Sequence, residues 1–145
     1  MAEKLAIGIE RTAVLLLLAR AYNTSTAAFE LHCGITSSRW RLLFLVDRLK
    51  TCTQKRLIEL INVDAGPVTR QLTQLERDGL IRREDAEHDK RLTNVSLTTE
   101  GRALVRSIMK KRREFLEKML DGVPPDEVHV FLKTLQKIDT NLSVQ

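Results

Sequence analysis

Apolar residues recur at helical spacing over most of this chain, and the pattern turns to alternation between residues 81 and 97. Residues 3–30 contain no proline and place Leu5, Ile9, Ala13, Leu16 and Leu17 at helical intervals, which predicts a long first helix. Its middle is apolar around much of its circumference. Such a helix needs burial, and one small domain offers little room, so a partner subunit is expected to supply the missing surface. His32-Cys33-Gly34-Ile35 breaks this helix. Thr36 or Ser37 can cap a second one, with Trp40, Leu43, Phe44 and Leu49 on its buried side. Thr51-Cys52-Thr53 reads as a short polar connection. A third helix follows through Leu57, Ile58, Leu60 and Ile61, capped by Thr53, or by Thr51 with Gln54 as a capping box. Asn62-Val63-Asp64 is then the turn.

The fourth helix is predicted over Val68–Asp78, with Val68, Leu72 and Leu75 as its apolar stripe. Either Asp64 or Gly66 can cap it, and in both cases Pro67 sits in the first turn, where its missing N–H costs nothing. Gly79 fits the left-handed position that ends the helix, and Leu80 folds back. At 100° per residue the face opposite the stripe collects Arg70, Thr73, Gln74 and Arg77. Arginines and short hydrogen-bonding side chains on one exposed face suit a DNA major groove, because they reach base edges and phosphates.

Ile81-Arg82-Arg83-Glu84 and Thr93-Asn94-Val95-Ser96-Leu97 alternate like two short strands. The residues between them, Asp85 to Arg91, are too charged for a core and too many for a tight turn, so an exposed, mobile loop is expected. Thr98 caps a fifth helix, with Glu100 in its positive first turn and Leu104, Ile108, Phe115, Leu116, Met119 and Leu120 along it. Gly122 stops that helix and Pro124-Pro125 resets the chain. Val128, Phe131, Leu132, Leu135, Ile138 and Leu142 stripe the last one. The predicted fold is mostly α (α+β): a winged helix-turn-helix flanked by long N- and C-terminal helices.

Composition narrows the function class. At 145 residues the chain is one domain by size, and 43% hydrophobic with 30% charged residues is ordinary for a folded protein. Lys and Arg outnumber Asp and Glu by 24 to 19, which fits a polyanion partner. Cys33 and Cys52 lack metal-ligand spacing and are too few for a disulfide framework, so reduced cytoplasmic thiols are expected, with no metal and no cofactor. The run Ala13–Ala19, followed by Ala19-Arg20-Ala21, mimics a signal-peptide cleavage site. Glu3 and Glu10 occupy the region that should be basic, and the run is far short of the ~20 residues that span a bilayer, so neither secretion nor membrane insertion is expected.

The run Thr53-Gln54-Lys55, Val63-Asp64, Val68-Thr69-Arg70, Leu75-Glu76-Arg77-Asp78-Gly79-Leu80-Ile81, Asp89-Lys90-Arg91, Val95-Ser96-Leu97-Thr98 and Gly101 resembles the multiple-antibiotic-resistance regulator (MarR) family. The motifs cover about a third of the chain, from Thr53 to Leu104; the flanking helices fit by length and order. The resemblance implies a single domain whose segments 1–34 and 106–145 dimerise and whose winged-helix lobe spans 36–101. It implies a homodimeric repressor of transcription on a pseudo-palindromic double-stranded operator, relieved by a small aromatic effector. Arg91 would reach the minor groove, drawn by its negative potential, with Asp89 orienting it by an ion pair.

Around these, Thr53, Gln54 and Lys55 at a helix N-terminus, and Pro67 and Thr69 at the flank of the fourth helix, are expected at the DNA backbone. Arg82, Arg83 and Lys90 are read as generic wing charges that add salt-dependent affinity. Lys110-Lys111-Arg112-Arg113 is read as a solvated face. His32, Trp40 and Phe44 are candidates for lining an effector site. Ile58 and Asn62 depart from the residues usual in the family, which points to different packing there; the position one turn before Glu76 is less typical too, so the target sequence is not carried over. The oxidant-sensing branch carries its cysteine early in the first helix, where this chain has none. Two rival functions are weighed: a thiol-based redox regulator using Cys33, and a helical protein-interaction module that ignores DNA. An enzyme built on His32 and Cys33 lacks a third orienting residue.

Overall fold

The described residues form six helices and three strands, in the order α1 (Ala2–Cys33), α2 (Ser37–Leu49), β1 (Thr51–Thr53), α3 (Gln54–Ile61), α4 (Ala65–Arg77), β2 (Ile81–Ala86), β3 (Asp89–Leu97), α5 (Thr99–Met119) and α6 (Pro125–Ser143). The structure, a computed structural model, describes residues 2–61 and 64–143, with side chains from residue 11 onward. The expected turn at Asn62-Val63 therefore lies outside the described residues. The molecule is mostly helical with one small antiparallel sheet.

Helix ends follow local chemistry. α1 runs unbroken to Cys33 and stops where Gly34 takes φ 71°, with the Gly34 N–H still donating to the Glu30 carbonyl at 2.9 Å. Thr36 caps α2, its hydroxyl accepting from the Arg39 N–H at 3.4 Å. The Glu30 carboxylate accepts from the Ser37 N–H at 2.8 Å, so the end of α1 satisfies a second free donor at the start of α2. Thr53 caps α3 by accepting from the Arg56 N–H at 3.1 Å.

Two expectations about the strands need correction. Thr51-Cys52-Thr53 is a strand, paired antiparallel with β3 in the register Thr51 to Ser96, Cys52 to Val95 and Thr53 to Asn94. Three residues are too few to display alternation, and the pairing partner lies some forty residues on. The sheet order is β1-β3-β2. The charged stretch after Glu84 is not a long loop either. β2 and β3 continue into it, pairing Asp85 with Thr93 and Ala86 with Asp89, so that Glu87-His88 forms a tight turn. Between those two pairs Lys90, Arg91 and Leu92 have no partner on β2 and form an irregularity in β3. Charge excluded this segment from the core, but a two-stranded ribbon in solvent needs no core on either face.

The core of the unit spanning residues 1–112 is leucine-rich: Leu42, Leu43, Leu57, Leu72 and Leu75 are fully buried beside Val46, Ile81 and Val95. Val68, Leu72 and Leu75 form the buried stripe of α4 as its spacing predicts. Val105 and Ile108 bury the first half of α5. Burial of each leucine is worth about 2 kcal/mol in transfer free energy. Leu49, expected on the buried side of α2, is instead 40% exposed, and Leu42 and Val46 take its place. In the unit spanning 113–145, Gly122 adopts φ 75°, the chain turns, and Pro125 opens α6. Val128, Leu135 and Ile138 of α6 are half-buried, whereas Phe131, Leu132 and Leu142 are exposed.

Candidate nucleic-acid interface

α4 ends in a complete C-terminal motif. The Gly79 N–H donates to the Glu76 carbonyl at 2.9 Å and the Leu80 N–H to the Leu75 carbonyl at 3.0 Å, which requires the positive φ of 73° that Gly79 supplies. Leu80 is thereby turned back toward the core, and its carbonyl accepts from the Thr98 N–H at 3.1 Å. The Thr98 hydroxyl donates to the Gly79 carbonyl at 2.6 Å and accepts from the Gly101 N–H at 3.0 Å. One threonine thus caps α5 and ties it to the end of α4. Gly101 is buried here, and only glycine fits, because a Cβ would land on the Leu80 carbonyl.

Two ion pairs fix α4 to its neighbours. Arg83 of β2 grips Glu76 through Nε at 2.9 Å and Nη2 at 2.6 Å, while its own backbone N–H donates to the other carboxylate oxygen at 3.2 Å. The Arg83 guanidinium holds the Glu76 carboxyl below the ordinary glutamate range, against the opposing effect of desolvation. Arg39 of α2 meets Asp78 at 2.6 Å, and Gln74 donates to the second oxygen of Asp78 at 2.9 Å. Arg39 foremost, then Gln74, holds the Asp78 carboxyl below its usual range. Arg83 is therefore a positioning group rather than a generic wing charge. Sequence reading missed both pairs, because the partners are seven and thirty-nine residues apart and on different elements.

Asp64 stands at the N-cap of α4 without a side-chain cap bond, so the alternative cap at Gly66 is not taken and Pro67 falls within the first turn. Pro67, Arg70, Gln74 and Arg77 are exposed, while Thr69 and Thr73 are half-buried. The Thr73 hydroxyl donates back to the Thr69 carbonyl at 3.0 Å, and the Thr69 hydroxyl donates to the Ala65 carbonyl while accepting from Gln54 at 3.3 Å. Gln54 thus bridges the starts of α3 and α4. An open depression of about 450 Å³ borders α4 on one side, lined by Thr36, Ser38, Arg39, Pro67, Arg70 and Gln74 among others. A second, of about 420 Å³, brings Gln54 and Lys55 of α3 and Ala65 of α4 together with Arg91 and Thr93 of the wing.

In the wing, Asp89 does not orient Arg91 through the expected ion pair. Its carboxylate accepts from the Arg91 backbone N–H at 2.9 Å, shaping the chain in the β3 irregularity and leaving the Arg91 guanidinium exposed. Arg82 and Lys90 are exposed as well. Trp40 is 8% exposed with its ring 5.5 Å from that of half-buried Phe44, and His32 is exposed at the end of α1. Cys33 is buried. Burial raises its thiol pKa, and Lys111 and Arg112 offset part of that rise. Desolvation raises Cys52 likewise. No cluster of metal-binding side chains occurs among the described residues.

Residues 35–93 match the MarR family profile. The HTH-type transcriptional regulator YdgJ of Bacillus subtilis, itself uncharacterised, is 34% identical over 115 residues, covering 79% of this chain and 70% of that protein. The HTH-type transcriptional repressor YetL of the same organism is 26% identical over 77% of this chain and 68% of its own length. Among solved structures, a cysteine-to-serine mutant of Escherichia coli MarR complexed with operator DNA superposes with a TM-score of 0.83 at 22% identity, over 89% of this chain and 95% of that one. That likeness establishes the winged-helix fold.

Proposed function

As the chain belongs to the MarR family and is an HTH-type transcriptional regulator, we propose that it acts as a homodimeric repressor whose operator binding a small-molecule effector relieves. α4 enters the major groove in this reading, and Arg91 of the wing enters the adjacent minor groove. The observation that carries it is the exposed face of Arg70, Gln74 and Arg77 on a helix clamped at its C-terminal end by Arg39, Arg83 and Thr98. A groove-reading helix must be held rigidly if its side chains are to distinguish bases, and these contacts do that. Lys55, Pro67, Thr69, Arg82 and Lys90 contact phosphates. Thr53, Thr73 and Asp89 act chiefly by holding the backbone, and Gln54 by holding the Thr69 hydroxyl. YetL, a repressor, supports the sign of regulation.

Dimerisation takes its support from exposed apolar side chains that water disfavours. Leu15, Leu16 and Leu17 of α1 are 79%, 71% and 58% exposed, and Phe131 and Leu132 of α6 are more than half exposed. Segments 1–34 and 106–145 therefore pair two copies, and the lobe 36–101 carries the DNA contacts. A two-fold dimer binds two half-sites about one helical turn apart, ~34 Å. The effector, with His32 and Phe44 as its proposed contacts and Trp40 behind them, would shift the dimer toward a spacing of α4 helices that no longer fits. The regulator works in the cytoplasm, where its operator lies. No described helix is long and apolar enough to cross a membrane. The redox reading finds no support at Cys33, since a buried thiol with a raised pKa is poorly reactive.

The test is to select bound fragments from the source genome with the full chain and footprint them. Two protected half-sites one turn apart support the reading. Retention of no fragment, even at low salt, refutes it and leaves the protein-interaction alternative.

A further inference from the structure

Gln74 lies on the exposed face of α4, one turn beyond Arg70 and one turn before Asp78. Its Nε2 donates to Oδ1 of Asp78 at 2.9 Å, and Oδ2 of the same carboxylate accepts from Arg39 at 2.6 Å. An ionised carboxylate only accepts, so the NH2 end of the amide must face Asp78 and the amide cannot flip without losing this bond. Arg39 holds Asp78 ionised and rises from the first turn of α2, one residue before buried Trp40. The order of contacts thus runs from the core outward: α2, Arg39, Asp78, Gln74.

That leaves Gln74 with its Oε1 acceptor and one N–H donor uncommitted. In the major groove adenine offers the complement, an N6–H donor beside the N7 acceptor. Guanine offers two acceptors there and would set O6 against Oε1. We propose that Gln74 is the adenine-reading residue of α4, with Asp78 and Arg39 as positioning residues that fix the orientation of its amide. This rests on the reading that α4 enters the major groove. An amide ordered before binding loses no rotamer freedom on contact, which favours recognition over general affinity.

The experiment titrates the full-length protein against its selected operator and against duplexes in which each base pair is replaced in turn. Wild type is expected to lose roughly five- to 150-fold in affinity when one A·T pair in one half-site becomes G·C, the range for a single good bidentate base contact. Gln74→Ala, at an exposed site that folding tolerates, should bind all variants at that position alike. Asp78→Ala should narrow the preference at the same pair while preferences elsewhere persist. An unchanged profile in Gln74→Ala, or one whose altered position is a G·C pair, overturns the proposal. An even loss at all positions in Asp78→Ala reduces Asp78 to a role in helix stability and overturns its positioning role. Arg70→Ala separates the two readings: if it too leaves affinity unchanged, α4 is not in the groove and both fall. If Arg70→Ala weakens binding and Gln74→Ala changes nothing, only the adenine assignment falls.

Discussion

The Thr98 hydroxyl donates to the Gly79 carbonyl at 2.6 Å, joining the end of α4 to the start of α5. Any movement of α5 is therefore passed to α4 through a side chain that also caps α5, since the same hydroxyl accepts from Gly101 at 3.0 Å. The joint is tight because Gly101 has no side chain, and a methyl group there would meet the Leu80 carbonyl.

Gly101→Ala should force the α4–α5 joint apart. The expected cost is about 3 kcal/mol, at the upper end for an overpacked site, because the obstacle is backbone and cannot rotate away. Chemical unfolding followed by circular dichroism measures it. Loss of less than ~0.5 kcal/mol would show that the joint is loose. Thr98→Val removes the hydroxyl at nearly constant volume and should cost about 1 to 2 kcal/mol, by loss of the cap and of the bond to Gly79.

The Glu76–Arg83 pair makes stability depend on acid pH. Glu76 titrates below its ordinary value in the folded state, so the unfolded chain takes up its proton first as pH falls. The stabilisation is complete above the ordinary glutamate range and disappears as pH drops through the lower folded value. Asp78, depressed by Arg39 and Gln74, adds a loss of the same sign. Urea midpoints for wild type should fall between about pH 5 and 3, where free carboxylates take up protons. Glu76→Gln should be less stable at pH 7 by about 1 kcal/mol, the discounted worth of a half-exposed pair, and flatter over that interval. A Glu76→Gln curve parallel to wild type would show that the pair contributes nothing.

Leu16→Asp, on the exposed middle of α1, tests the dimer. Each leucine buried across an interface is worth about 2 kcal/mol, and two-fold symmetry counts it twice. Sedimentation should show a dimer constant weakened about a thousandfold, on the order of 4 kcal/mol. The same substitution on a monomeric protein would leave the sedimentation coefficient unchanged and raise solubility.

The chain displayed most of this in its letters, and the omissions have physical causes. The stripe Val68, Leu72 and Leu75, the caps Thr36, Thr53 and Thr98, and the stops Gly79 and Gly122 are local signals, each set by a few adjacent residues. β1 escaped because its identity comes from pairing with Asn94–Ser96. The tight turn at Glu87-His88 escaped because charge was read as loop, although an exposed ribbon tolerates charge on both faces. Arg83 reads as a generic wing charge, and the sequence assigns no role to Arg39 or to the Asp78 carboxylate, since only the fold brings Arg39 to Asp78 and sets Arg83 on Glu76. Asp89 was paired with the correct residue but the wrong atoms.

Arg70 of α4 and Arg91 of the wing carry the central claim that this helix and this wing together hold DNA. The direct measurement is the affinity of wild type, Arg70→Ala and Arg91→Ala for the selected operator and for random duplex, across about 50 to 200 mM salt, the usual range for such slopes. Arg91→Ala should weaken both duplexes and reduce the salt slope by about two units, one for each copy in the dimer. Arg70→Ala should lower operator affinity by about 1 to 3 kcal/mol and narrow the gap to random DNA. Unchanged affinities and slopes in both variants would contradict the assignment of α4 and the wing as the DNA-binding surface.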